Sequence, residues 1–195
     1  MLNAALRLIA RRGYTRTTLA HVGKESGYSR GLVSHRFGSK EGLLRTLVDY
    51  ITGSFLEERV RPAIGNRSGL DALAALVDTY VNELVVREKR LQTLYVLMGE
   101  ALGPVPGIRA VFIGLNQRLR DDARVWIEEG MASGELRVDL NAAAEAALFI
   151  AILRGVAMQW ATEPGCFDAE AVRESIKDAL RRHLVRQSEV EAWQA

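Results

Sequence analysis

The chain has 195 residues, 48% of them hydrophobic and 26% charged, with one cysteine and a formal net charge of +2. Such a composition excludes a disordered chain and holds one domain or two small ones with a real core, while the lone Cys166 excludes an internal disulfide. Charge is unevenly spread: nine Lys/Arg against Glu25 and Glu41 put residues 1–45 at +7 and the remainder at −5, so a basic head on a mildly acidic body points to an anionic partner, most commonly nucleic acid.

The opening stretch MLNAALRLIARR interleaves apolar and basic residues, without the apolar core and cleavage site of a secretory signal. It predicts a first helix with Leu2, Leu6, Ile9 and Ala10 as its inner stripe, ending at Gly13. Thr17 and Thr18 are hydroxyl residues suited to cap a short second helix, with Leu19 and Val22 inward. Gly27 supplies a left-handed end to it, and Ser29 caps a third helix over roughly 29–36. Two short helices joined by a few residues that include glycine form the helix-turn-helix pattern.

Ser39 caps a long fourth helix expected to run to about Val60, followed by the linker RPAIGNRSG. Further helices are expected near 70–88, 90–102, 106–130, 142–162 and 168–187, separated by the turn-forming stretches GPVPG, GMASG and TEPG. The period is three to four residues throughout, so the expected fold is all-α: a helix-turn-helix head over 1–45 and a larger helical domain over 46–195. The longest apolar run, AALFIAIL, stops at Arg154, well short of the roughly 20 residues of a membrane span, so no membrane partner and a cytoplasmic location are expected.

A helix that enters the major groove needs apolar residues behind and polar groups in front. In the third helix Leu32, Val33 and Phe37 are expected behind, with Arg30, Ser34 and Arg36 in front; Gly31 lets the backbone approach a phosphate or base edge. Arg30 suits bidentate bonding to guanine or contact with phosphate. Lys40 sits at the start of the fourth helix, where a cation opposes the helix dipole; a docked phosphate would remove that cost.

Over GYTRTTLAHVGKESGYSRGLVSHRFGSKEGLL the chain resembles the tetracycline-repressor family of bacterial transcriptional regulators. The family shows a Gly-aromatic pair, a Thr-Thr pair, a Gly-x-Ser turn, and a helix closing in aromatic-x-His-Phe followed by Ser-Lys-Glu-x-Leu. The resemblance implies that Thr18 and Lys40 contact phosphates, that Ser29, Arg30 and Gly31 lead the recognition helix, and that Ser34, His35 and Arg36 lie along the DNA. With Thr17, these are the expected DNA-binding residues. Ser34 departs from the family's usual tyrosine, Arg36 from a frequent histidine and Ala20 from a frequent polar residue, and the chain begins almost inside the first helix, where the family usually has a basic arm.

One helix-turn-helix makes few phosphate contacts, so two copies about 34 Å apart are expected. Leu148, Ile152 and Gly155 on one helix, with Val172, Ile176, Leu180 and Leu184 on the next, are the expected dimer face; the resemblance implies a four-helix bundle of these helices with their mates. Tyr95, Met98, Phe112, Trp126, Met158 and Trp160 are candidates to line a small-molecule pocket, and Tyr80 lies nearby in sequence. Arg154, a charge within an apolar helix, needs either an acid across the dimer or a ligand carboxylate.

His21, His35 and His183 lack metal-ligand spacing, and no phosphate-binding glycine loop or catalytic constellation is present, so neither cofactor nor enzymatic activity is expected. Arg118 with Asp122 and Arg124 with Glu128 have the spacing of a salt-bridged helix surface. The expected function is a ligand-responsive, homodimeric DNA-binding regulator acting as a repressor on a palindromic operator. The competing reading is a ligand- or partner-binding protein of the same fold without specific DNA binding.

Overall fold

The computed structural model describes residues 1–86, 88–103 and 107–185, without the side chains of Ser54, Glu88 and Lys89. Its elements are α1 (Leu2–Arg12), α2 (Leu19–Ser26), α3 (Arg30–Phe37), α4 (Lys40–Phe55), a π-helical turn (Leu56–Val60), α5 (Arg61–Ile64), α6 (Gly69–Val86), α7 (Glu88–Ala101), α8 (Ile108–Ser133), α9 (Ala142–Thr162) and α10 (Ala169–Leu184). Among the described residues the only strand-type pairing is an isolated antiparallel bridge between Leu136 and Val185.

Local chemistry sets most of the ends. Thr18, Ser29 and Ser39 each accept a backbone N–H from three residues on, closing the starts of α2, α3 and α4. Gly27 ends α2 in the left-handed region, at φ 74 and ψ 17. The expected linker begins later than its composition suggests, because Arg61–Ile64 is helical and Pro62 lies in its first turn, where a missing N–H costs nothing. The break expected at 103–107 falls largely on 104–106, outside the described residues, as does the expected end of the last helix at 187.

The chain forms two compact units. Unit one comprises Met1–Glu58 with Arg87–Leu115, and unit two Arg59–Val86 with Asn116–Ala195. A boundary after residue 45 falls within α4, whereas the first unit runs on to Glu58 and takes in α7. In unit one α1 packs on α2, α4 and α7, and Leu8, Ile9, Val22, Val33, Leu43, Leu47 and Leu97 are all buried. In unit two α6 is central, packed on α5, α9 and α10 around Leu73, Val77, Val81, Leu84, Phe149 and Leu153.

Leu32 corrects the sequence reading. Val33 and Phe37, four apart, share one buried stripe of α3, and Leu32 lies off it with 46% of its surface exposed. A second correction concerns α10: Ile176, Leu180 and Leu184 are buried within unit two, where α10 packs on α6. Side chains already covered inside one protomer have little surface left for a partner. The exposed apolar row lies instead on α9, through Leu148, Ala151, Gly155 and Met158, with Ile152 half-buried beside it.

Candidate nucleic-acid interface

The recognition unit is built on a close approach of α2 to the start of α3. Gly23 is buried in α2, and a Cβ there would lie 2.8 Å from the Tyr28 carbonyl and 3.3 Å from the Arg30 nitrogen. Any larger residue would push α3 off α2. The signal in the sequence for this contact is a glycine inside a short helix, where helix propensity alone disfavours it.

At about 100° per residue, Val33 and Phe37 point into the core and the opposite direction falls between Gly31 and His35. Arg30, Gly31, Leu32, His35 and Arg36 are exposed, and Ser34 is half-buried on the flank. Arg30 occupies the first helical position and is exposed there, at the end of the helix, although its direction round the axis is nearer that of Phe37. Ser29 is committed to its cap, accepting from the Leu32 N–H at 3.1 Å. An open groove of about 760 Å³ runs along the side of α3 that carries Leu32, His35 and Arg36, bordered by Tyr28, Tyr50 and the first residues of α1.

The two threonines separate. Thr18 is exposed and its hydroxyl accepts from the His21 N–H at 3.2 Å, leaving its outer side open. Thr17 is buried and its hydroxyl donates to the Gly13 carbonyl at 2.8 Å. Thr17 is therefore a fold residue, and its place in the expected DNA-binding set is corrected: adjacent positions at a helix start point in different directions, and only one of this pair faces out.

Lys40 begins α4, and its ammonium donates to the Thr15 carbonyl at 2.9 Å while lying 4.3 Å from the centre of the Tyr14 ring. Partial burial holds its pKa below the usual 10.5, against the pull of Glu100 and Glu41 toward the charged form. An ammonium has three donors, and Thr15 takes one. Burial likewise raises the Tyr14 hydroxyl to about 12, with Glu41 and Glu100 adding to the shift.

The turn that holds Lys40 is itself gripped by α7. Glu100 accepts from the Tyr14 N–H at 2.6 Å, from the Thr15 N–H at 3.0 Å and from the Thr15 hydroxyl at 2.8 Å. Gly13 makes room for it: φ there is +78, and a Cβ would sit 2.5 Å from a Glu100 oxygen. Nothing in the spacing of residues 13–15 and 100 announces this clasp. Elsewhere in the head, Glu25 accepts from Arg7 at 3.2 Å and Arg11 at 3.1 Å, and the Arg7 hydrogen bond is the main reason its carboxyl titrates below 4.5.

The expected pocket residues divide between the units. Tyr95 and Phe112 are buried in unit one, with Met98 half-buried; Trp126, Arg154 and Trp160 are half-buried in unit two. Trp160 packs on Phe167, ring centres 5.2 Å apart. Met158 is corrected, because it is 45% exposed on the outward row of α9 and lines no interior space. Among the expected dimer residues, Leu148 and Gly155 are exposed, and Ile152 and Val172 half-buried. Helix α9 is long and apolar, with a mean hydropathy of 1.5 over an 18-residue window only 28% buried. Arg124 and Glu128 form the expected surface pair at 2.7 Å, and His183 pairs with Glu145 at 2.9 Å.

Comparison with known proteins agrees with this architecture. Residues 1–47 match the model of bacterial regulatory proteins of the tetR family, and residues 69–185 that of the C-terminal part of BetI-type transcriptional repressors. The HTH-type transcriptional regulator BetI of Burkholderia ambifaria (strain MC40-6) is 34% identical over 93 residues, 45% of this chain and 48% of that one. The chain thus spans about half the length of such relatives. Among solved structures, the regulator FadR from Bacillus subtilis in complex with stearoyl-CoA superposes with a TM-score of 0.80 at 18% identity, covering 92% of this chain and 95% of FadR. A transcriptional regulator from Saccharomonospora viridis in complex with choline gives 0.78 at 22% identity, covering 95% and 96%. At these identities the likeness is one of fold.

Proposed function

The chain belongs to the tetR family of bacterial regulatory proteins, and from that membership we propose that it is a ligand-responsive transcriptional repressor, binding a palindromic operator as a homodimer and altered by a small molecule. The observation that carries the reading is the exposed side of α3, where His35 and Arg36 flank a backbone opened by Gly31 and Arg30 is exposed at the first turn, on a head with a net charge of +7. Phosphate contacts come from Thr18, Lys40 and the first turns of α2 and α4, and base contacts from α3. The protein acts in the cytoplasm and has no catalytic role.

Two heads must be held at one helical turn of DNA, about 34 Å apart. The outward row of α9 supplies the contact: an apolar helix this little covered in one protomer gains by meeting its copy. Val172 on α10 joins it at the edge.

The effector is an organic small molecule, by analogy with the ligands named for the FadR and Saccharomonospora structures. Its candidate contacts are Tyr95, Met98 and Phe112 within unit one, or separately Trp126, Arg154 and Trp160 within unit two. Helix α7 carries Tyr95 and Met98 as well as Glu100, so a ligand that favours one position of α7 biases the clasp on Thr15 and with it Lys40. Such a ligand acts only through its different affinity for the two states.

The test is selection of sites by the purified protein from a random duplex pool at physiological salt. Enrichment of a palindrome, bound with an affinity that falls steeply with salt, is expected. A pool without enrichment overturns the reading in favour of a ligand- or partner-binding protein of the same fold.

A further inference from the structure

Leu32 is an apolar side chain on the flank of the exposed face of α3, which otherwise carries Gly31, His35 and Arg36. It lies next to Gly31, one turn before Arg36, and its surface is 46% exposed, with exposed Tyr28 one turn behind it. Nothing inside the protein accounts for the neighbouring glycine: Gly31 has ordinary helical backbone, and a Cβ there would meet only the Ser29 hydroxyl, 3.8 Å away. The protein keeps bulk away from this point while offering one branched apolar group beside it. Such a pairing fits a surface that must be approached closely and carries an apolar spot.

The major groove offers one such spot. Guanine, adenine and cytosine present only donors and acceptors there, whereas thymine adds its C5-methyl group. We propose that Leu32 is a specificity-determining residue that selects thymine in each half-site by packing on its 5-methyl group, with Gly31 setting the depth of approach. Arg36 lies one turn on and beside it on α3, where it reaches a neighbouring base or phosphate, and Arg30 is exposed at the first helical position. The proposal rests on the DNA-binding reading and adds to it a base and the atom by which that base is recognised.

Deoxyuridine tests this directly, because it keeps every hydrogen-bonding edge of thymine and lacks only the methyl group. Each thymine of the selected half-site is replaced in turn, and affinities of the full-length protein are measured at one salt concentration. One position is expected to weaken binding about fourfold per half-site, the value of burying a single methyl group. In Leu32→Ala the thymine and uracil forms of that position are expected to bind equally, with unchanged thermal unfolding because Leu32 is exposed. The proposal is overturned if the wild type binds every uracil-substituted site as tightly as the parent, or if the penalty persists in Leu32→Ala; in both cases the selected palindrome still upholds the DNA-binding reading. Failure to select any site removes both.

Discussion

Glu100 and Thr15, 85 positions apart, are joined by two hydrogen bonds, from the Thr15 N–H at 3.0 Å and its hydroxyl at 2.8 Å. With the Tyr14 N–H they make one carboxylate the acceptor for three donors of the turn between α1 and α2. Glu100→Ala leaves these donors without their partner and is expected to cost about 2 kcal/mol of stability. Urea denaturation measures it, and an unchanged midpoint would show that water replaces the carboxylate. Lys40 leans on the same turn, so the folded variant is also expected to bind its operator less tightly.

From the proposed phosphate contact of Lys40, this residue is expected to set the alkaline limit of DNA binding. Burial lowers its pKa from 10.5 in the free protein, and a bound phosphate favours the charged form. Affinity is therefore expected to decline as pH rises through a value below that of an ordinary lysine. Lys40→Arg, whose guanidinium stays charged, should flatten that decline in a titration of affinity against pH.

At the acid end Glu25 contributes stability of the opposite dependence. Its carboxyl titrates below 4.5 when folded because Arg7 and Arg11 hold the charged form. Its contribution is present above the unfolded value and is lost as pH falls through the lowered folded value. Acid unfolding of Glu25→Gln should lack this component; identical acid transitions for the two proteins would contradict the assignment.

Thr17 and Thr18 are expected to separate in experiment as they do in space. Thr17→Val removes a buried hydroxyl that donates to Gly13 and should cost about 1 kcal/mol of stability, leaving the operator affinity of the folded protein unchanged. Thr18→Ala removes the cap of α2 and an outward hydroxyl, and should weaken both. Equal losses of affinity in the two variants would place Thr17 back at the interface.

Oligomeric state discriminates α9 from α10. Ala151→Glu puts a charge in the outward apolar row of α9 and is expected to yield a folded monomer by light scattering. Ile176→Ala removes a side chain buried within unit two and is expected to cost about 2–5 kcal/mol of stability. A dimer that survives Ala151→Glu would move the interface elsewhere.

Much of the local architecture was legible in the amino-acid sequence. Ser29 and Ser39 announce helix starts because a hydroxyl bonds an N–H three residues on, and Gly27 announces an end because φ there is positive; these are interactions of neighbours. The basic head and the fold class follow from composition and period in the same way. Direction was the harder matter. An apolar run such as Leu32-Val33 states that something is buried, and only the packing of α3 decides that Val33 goes in and Leu32 out. The same holds for Thr17 beside Thr18, and for Ile176 on α10 against Leu148 on α9, where the neighbouring helix determines which stripe is covered. The Glu100 clasp lay furthest from view, since a carboxylate meets donors 85 and 86 positions away only once the chain has folded. By itself, then, the sequence determined the helices, their caps and the charge of the head, all products of short-range chemistry. The tertiary structure decided which faces remain exposed for a partner and how α7 holds Thr15 and Lys40, because burial and long-range bonding depend on what each helix packs against.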